Sequence, residues 1–237
     1  MEFLPLKYHQ DRESMIPNEE KDEEESAMKK LISLMLAAVL LLTALPVMAE
    51  SNGKALIIYF DYSENIDTTG LDVDAVSSAS IAEGPGIRDR SNLLVMVDLL
   101  KDRTGAEVVP LHVEEVYAPM FDDMVGKAQA DKNENIQFTF TEALPDLTDV
   151  DTIYFGSAIW WYGMPQPVVN YFQRVDLSGK KLMYFSINRG SRNYEVLETL
   201  AELQPDTDVF AEVSISAMQD NERAADEFSS WLDSIGL

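Results

Sequence analysis

The segment from Thr152 to Phe172 reads TIYFGSAIWWYGMPQPVVNYF. An apolar run of roughly four to eight residues that ends in small residues has the form of a buried strand, and here Ile153 to Phe155 lead into Gly156-Ser157. On that reading the strand stops at Gly156-Ser157, and Trp160, Trp161 and Tyr162 lie in the loop leaving its carboxyl end. Three adjacent large aromatic side chains on one loop cannot all enter a single core, so at least one faces a groove or a ligand. The proline-punctuated stretch that follows, to Phe172, has helical spacing. In open α/β sheets, ligands bind in the crevice outside the carboxyl ends of the strands.

Working outward, Lys54 to Phe60 (KALIIYF) is continuously apolar, as a central parallel strand buried on both faces must be. A long polar loop follows from Asp61 to Arg90, with Gly84-Pro85-Gly86 inside it; loops of such length in compact domains usually carry function or lack order. Ser91 and Asn92 are good helix N-caps, and the helix they open runs to Gly105, a C-cap residue. Glu107 to Val113 (EVVPLHV) reads as a second strand, placed at the sheet edge by Pro110. Residues 114–145 are mostly polar, with a helix near Phe121 to Ala130. Leu182 to Ile187 is a fourth strand with the exit loop Asn188-Arg189-Gly190-Ser191. Tyr194 to Leu203 is helical in pattern, Val209 to Ile215 a fifth strand, and Asp220 to Leu237 an amphipathic helix with Phe228 and Trp231 inward. Strands alternating with helices predict a parallel sheet with right-handed crossovers and helices on both faces. Five such strands predict a flavodoxin-like doubly wound α/β fold with strand order 2-1-3-4-5.

At 237 residues and 46% hydrophobic content the chain suits one domain plus an export segment. From Met28, the Lys29-Lys30 pair, the apolar stretch from Leu31 to about Val47 and the small residues after it have the pattern of a secretory signal peptide over residues 28–49, with cleavage after Ala49. Residues 1–27 are acidic and aperiodic, the composition of a disordered extension upstream of a start at Met28. The mature domain is then 50–237, with no membrane span after cleavage and a location outside the cytoplasm. There is no cysteine, which removes disulfides, metal thiolates and cysteine nucleophiles together. Residues 1–27 carry −6 and residues 28–49 carry +2, which leaves −20 of the chain's −24 on residues 50–237. So acidic a surface argues against nucleic acid or an anionic membrane as partner and suits a basic protein partner or simple solubility.

The loops leaving the first, third and fourth strands converge on one edge of such a sheet. An anion would sit where the first loop feeds the helix at Ser91-Asn92, with Ser63, Asn65, Arg90, Ser91 and Asn92 as donors; alternatively Ser91 and Asn92 only cap the helix. A planar ring would sit against Trp160, Trp161 and Tyr162, unless the tryptophans serve only as core and rim. Hydrolytic chemistry finds little support: there is no G-x-S-x-G elbow, and the mature chain's single histidine, His112, falls inside the predicted edge strand. No H-x-x-H pair or carboxylate spacing points to a metal.

DTIYFGSAIWWYGMPQP at 151–167 resembles the strand, paired tryptophans, glycine and prolines of the flavodoxin family. DLSGKKL at 176–182 is similar to that family's approach to its fourth strand, and YFDYSENID at 59–67 resembles a phosphate loop split by an insertion that ends at Arg90-Ser91-Asn92. The resemblance spans residues 54–237. It implies FMN as cofactor, with phosphate held by the first loop (Tyr62, Ser63, Asn65, Arg90, Ser91, Asn92). The isoalloxazine would lie between Ile159, Trp160, Trp161, Tyr162 and Gly163 on one side and Asn188, Arg189, Gly190 and Ser191 on the other. It implies electron transfer to a redox partner protein, or reduction of a quinone-like acceptor, with the flavin itself carrying the chemistry. Glu64, Leu93 and Arg189 depart from the family pattern, where an uncharged residue, a hydroxyl residue and a glycine are usual. The alternative is a flavodoxin-fold binding module that has lost FMN and offers the same cleft to another ligand or a protein.

Overall fold

The computed structural model describes residues 53–66, 91–118, 120–193 and 195–237. The expected signal peptide, the acidic extension and Arg90 lie outside them.

β1 (Lys54–Phe60) owes its unbroken apolar sequence to its place inside the sheet, hydrogen-bonded in parallel to β2 (Glu107–Pro110) on one side and β3 (Val150–Ala158) on the other. β3 continues into β4 (Lys181–Asn188) and β4 into β5 (Asp208–Ser216), again in parallel. The resulting order is β2-β1-β3-β4-β5, the doubly wound arrangement that the alternating pattern predicts. Between the strands run α1 (Asn92–Thr104), α2 (Phe121–Glu134), α3 (Gln166–Arg174) and α4 (Val196–Leu203), and α5 (Asn221–Ile235) follows β5.

Side chains alternate across a strand, and β3 shows which helix covers which face. Phe155 meets Tyr171 and Phe172 of α3 at ring separations of 5.2 and 4.7 Å and stacks on Tyr184 of β4 at 5.9 Å. The next residue, Gly156, looks the other way, toward Leu93 of α1 and Phe185 of β4, and Phe185 in turn meets Phe228 of α5 at 5.6 Å. All of these aromatic rings are fully buried, so one layer of rings fills each side of the sheet.

Gly156 also corrects the reading of the opening segment. β3 does not stop at Gly156-Ser157 but runs on to Ala158. A Cβ on Gly156 would lie 2.5 Å from two ring carbons of Phe185 and 3.2 Å from Leu93 Cδ1. The glycine is therefore a packing requirement inside the strand rather than its terminator. The exit loop begins one or two residues later, at Ile159.

β2 is shorter than the predicted Glu107–Val113 and ends at Pro110, which is tolerated there because an edge strand needs no N–H on its outer side. Beyond it the chain crosses the carboxyl end of β1: Leu111 N donates to Tyr59 O, Val113 N to Asn65 Oδ1 and Tyr117 N to Asn65 O. His112 therefore lies just past the strand, with Nε2 3.8 Å from Glu64 Oε2 and Nδ1 3.4 Å from Glu142 Oε2. α1 opens on Ser91, whose Oγ accepts from Leu94 N at 3.1 Å, and closes on Gly105 in the left-handed region at φ 67°. α2 continues four residues past the predicted end at Ala130. Among the described residues no helix is long and apolar enough to cross a membrane.

Candidate functional site

The loop after β3 is a tight turn. Trp160 N donates to Gly163 O at 2.9 Å and Gly163 N to Trp160 O at 3.0 Å, so Trp161 and Tyr162 are the two central residues. Both have positive φ, 49° and 68°, the signs of a type I′ turn that normally selects asparagine and glycine. Left-handed backbone at non-glycine residues persists only where surrounding contacts over-determine it, and here they do. Trp161 Nε1 donates to Val125 O of α2 at 3.1 Å, and Lys132 Nζ of α2 donates to Trp161 O at 2.9 Å. Glu195 N donates to Tyr162 O at 3.0 Å, and the Glu195 carboxylate closes the clamp on Lys132 Nζ at 2.7 Å.

The three aromatics part company in this turn. Trp160 is buried, edge-on to Tyr117 at 4.9 Å, Phe60 at 6.0 Å and Tyr62 at 6.1 Å. Trp161 and Tyr162 are exposed at 38% and 57%, which for large aromatic side chains marks a surface kept open. Burial, reinforced by the nearby Asp131 carboxylate, pushes the Tyr117 hydroxyl far above its usual range, so it stays a neutral phenol. The indole N–H of Trp160 is buried without a hydrogen-bond partner.

Opposite the turn stands the loop after β4. Asn188 is buried and anchors it, donating from Nδ2 to Ser214 Oγ at 2.8 Å and accepting from Gly190 N at 2.7 Å. Gly190 takes φ 103°, which a side chain would resist, and a Cβ there would meet nothing within 4 Å. Arg189 reaches across to α2, its guanidinium carbon 5.9 Å from the centre of the Phe121 ring. Between the two loops lies a cavity of about 570 Å³ lined by Ile159, Trp160, Trp161 and Tyr162 on one side and Arg189, Gly190 and Ser191 on the other. Its size falls within the range of small-molecule sites, roughly 300–1,000 Å³.

A third wall, absent from the predicted set, comes from Phe121, Met124, Val125 and Ala128 of α2. These residues stand at i, i+3, i+4 and i+7, so the sequence marks them as one helix face. Nothing in the spacing says that the face looks onto the turn after β3. Gly163 closes that turn, where a Cβ would come within 3.3 Å of Glu195 Oε2.

The first loop is built around Asp61. This residue is fully buried and opens a short 3-10 turn over Tyr62–Glu64. Its Oδ1 accepts from Ser63 N at 2.8 Å and from the Ser63 hydroxyl, and its Oδ2 accepts from the Ser91 hydroxyl at 2.6 Å. Asn65 spends its amide on Asp61 O at 2.8 Å and Leu111 O at 3.2 Å. Asn92, fully buried at the start of α1, donates to Ser216 O at 3.2 Å and Gln219 O at 3.0 Å and accepts from Asn221. Tyr62 is buried, with its hydroxyl on Ala118 O. Glu64 turns to Tyr59, whose hydroxyl it accepts at 3.1 Å, and to His112. Among the described residues no group of three or more His, Asp or Glu is placed to hold a metal ion.

The structure thus brings Ile159–Tyr162 and Arg189–Ser191 together around one cavity. It gathers Ser63, Asn65 and Ser91 around Asp61 in a separate hydrogen-bonded knot at the end of β1 and the start of α1, and it turns the Asn92 side chain to the end of β5 and the start of α5.

Residues 128–235 match the flavodoxin family model. The matched span contains the turn after β3 and the loop after β4 and leaves out residues 61–92. No curated protein matches the sequence. Among solved structures, a candidate flavoprotein of Bacteroides eggerthii DSM 20697 is 16% identical, with 78% of this chain and 99% of that chain covered and a TM-score of 0.54. A candidate flavoprotein of Bacteroides uniformis ATCC 8492 is 15% identical, covers 75% and 98% and has a TM-score of 0.55. At such identities the likeness is one of fold, and it agrees with the strand order above.

Proposed function

We propose that the protein binds a flavin in the aromatic cavity and serves in electron transfer or flavin-dependent reduction, outside the cytoplasm. The observation that carries this reading is the cavity itself, an aromatic turn facing a glycine loop at the carboxyl ends of β3 and β4. In a 2-1-3-4-5 sheet that edge adjoins the switch point between β1 and β3, where ligands of doubly wound folds bind. The flavodoxin family match over this half of the chain and the flavoprotein folds of the two Bacteroides proteins support the same choice.

The ring end of the cavity fits a flavin. Trp161 and Tyr162 offer exposed aromatic faces for stacking. Gly190 leaves room for close approach to backbone, and the unpartnered indole N–H of Trp160 is a donor that a ligand carbonyl can satisfy. A bound flavin supplies redox chemistry; the chain positions it and excludes water. FMN is the form that the family resemblance implies, but the phosphate end does not fit it. The side-chain donors expected for phosphate among the described residues are already engaged within the chain. The excess negative charge would steer a basic redox partner, with a small quinone-like acceptor as the other candidate. The signal-like segment at 28–49 supports export before the flavin is acquired.

Titrating purified protein with flavin tests the reading. Binding should quench flavin fluorescence and shift its visible spectrum, and Trp161→Ala should weaken affinity by about threefold or more. No binding at about 100 μM flavin sinks the proposal and selects the second reading, a flavodoxin-fold module with another ligand. That second reading is favoured by one observation: among the described residues, the serines and asparagines of the first loop have no side-chain donor left over.

A further inference from the structure

We propose that Asp61 is a specificity-determining residue that fills the anion position of the first loop from within the chain, so that the cleft selects a flavin without a phosphate, of the riboflavin class, over FMN. The inference rests on the flavin reading of the aromatic cavity and concerns only the other end of the ligand.

The donor inventory decides it. A phosphate dianion only accepts hydrogen bonds, so its site must hold spare donors. A serine hydroxyl has one hydrogen and an asparagine amide two. Ser63 gives both its hydroxyl and its backbone N–H to Asp61, and Ser91 gives its hydroxyl to the same carboxylate at 2.6 Å. Asn65 and Asn92 each place both amide hydrogens on backbone carbonyls. Among the described residues these four carry the polar side chains whose position at the end of β1 and the start of α1 suits a phosphate, and all of their side-chain hydrogens are committed. The carboxylate that commits the serines is itself an anion, and it is fully buried, where water does little to screen it from a second negative group.

A phosphate entering this loop would break the Asp61 network and meet its charge. A polyhydroxyl tail has neither difficulty, since a hydroxyl both donates and accepts and carries no charge. Glu64 adds a second carboxylate on the same short turn, directed to Tyr59 and His112.

The test is a parallel titration of purified protein with riboflavin and with FMN, followed by fluorescence quenching and by calorimetry. Riboflavin is expected to bind about tenfold tighter than FMN, the effect of a close like-charge pair on affinity. Asp61→Ser, which removes the charge and frees the Ser91 hydroxyl, should tighten FMN by about tenfold while changing riboflavin by less than about threefold. Asp61→Asn keeps the shape and should move the ratio in the same direction, and a thermal melt of each variant confirms that it is folded. FMN binding to the unaltered protein as tightly as riboflavin, or tighter, overturns the assignment and leaves the flavin reading standing. An unchanged ratio in both folded variants also overturns it. Binding of neither flavin overturns both this proposal and the reading on which it rests.

Discussion

Replacing Tyr162 by glycine separates what the turn after β3 costs from what it supplies. Tyr162 holds φ 68° in a turn closed by two backbone hydrogen bonds between Trp160 and Gly163. An L-residue in the left-handed region costs roughly 1–2 kcal/mol that glycine does not incur. Against this, glycine loosens the unfolded chain by roughly 0.5–1 kcal/mol. Removing the phenol ring sacrifices little burial, because the residue is 57% exposed. With that small loss of burial deducted as well, the balance lies between zero and about 1 kcal/mol in favour of the variant. For a domain the size of Glu50–Leu237 that is a melting temperature unchanged or raised by up to about 4 °C. Tyr162→Val keeps bulk but puts a β-branched side chain at the same positive φ, and should melt lower than both. Ligand-free thermal unfolding reads the stability, and a flavin titration reads the site, where loss of the ring face should weaken binding by about threefold to tenfold. A glycine variant melting more than about 4 °C below the parent would refute the reasoning, since the tyrosine side chain would then be what holds the turn. Unchanged flavin affinity would remove Tyr162 from the cavity's working surface.

Two further outcomes test the scaffold. Gly156→Ala places a methyl 2.5 Å from the buried Phe185 ring and should cost about 1–3 kcal/mol, a fall of roughly 2–12 °C, partly restored by Phe185→Leu; a melt within about 1 °C of the parent would show that β3 and β4 can part there at no cost. Burial raises the hydroxyl pKa of Tyr154, Tyr171 and Tyr184 above the ordinary 10.0. Their folded state stays neutral while the unfolded chain ionises, so stability is full below pH 10 and is lost as pH rises from there toward the folded values. Urea midpoints that agree at about pH 9 and about pH 11 would contradict that sign.

Periodicity located the five strands, and their alternation with helices made 2-1-3-4-5 the expected order. A run such as KALIIYF can be buried on both faces only in a central parallel strand, and strand-helix alternation leaves few topologies. The placement of Trp160–Tyr162 beyond β3 and of Arg189–Ser191 beyond β4 was legible for the same reason, while Asn188, expected in the exit loop, is the last residue of β4. Local cap chemistry was legible too: Ser91 and Gly105 stand at the two ends of α1 as their residue types predict.

Contacts between residues far apart in sequence were not legible. Gly156 reads locally as a strand end, and only the Phe185 ring on the neighbouring strand makes it a strand interior. The apolar stripe of α2 announces a helix face, but its docking on the turn after β3 depends on Lys132, Val125 and Glu195 meeting Trp161 and Tyr162. Asp61 and Ser91 are thirty positions apart, and nothing in either residue's neighbourhood says that a carboxylate would take the hydroxyl a phosphate needs. Hydrophobic patterning reports whether a side chain is buried, which a sequence window can encode; the partner of a buried polar group is fixed only when the folded chain brings donor and acceptor within about 3 Å.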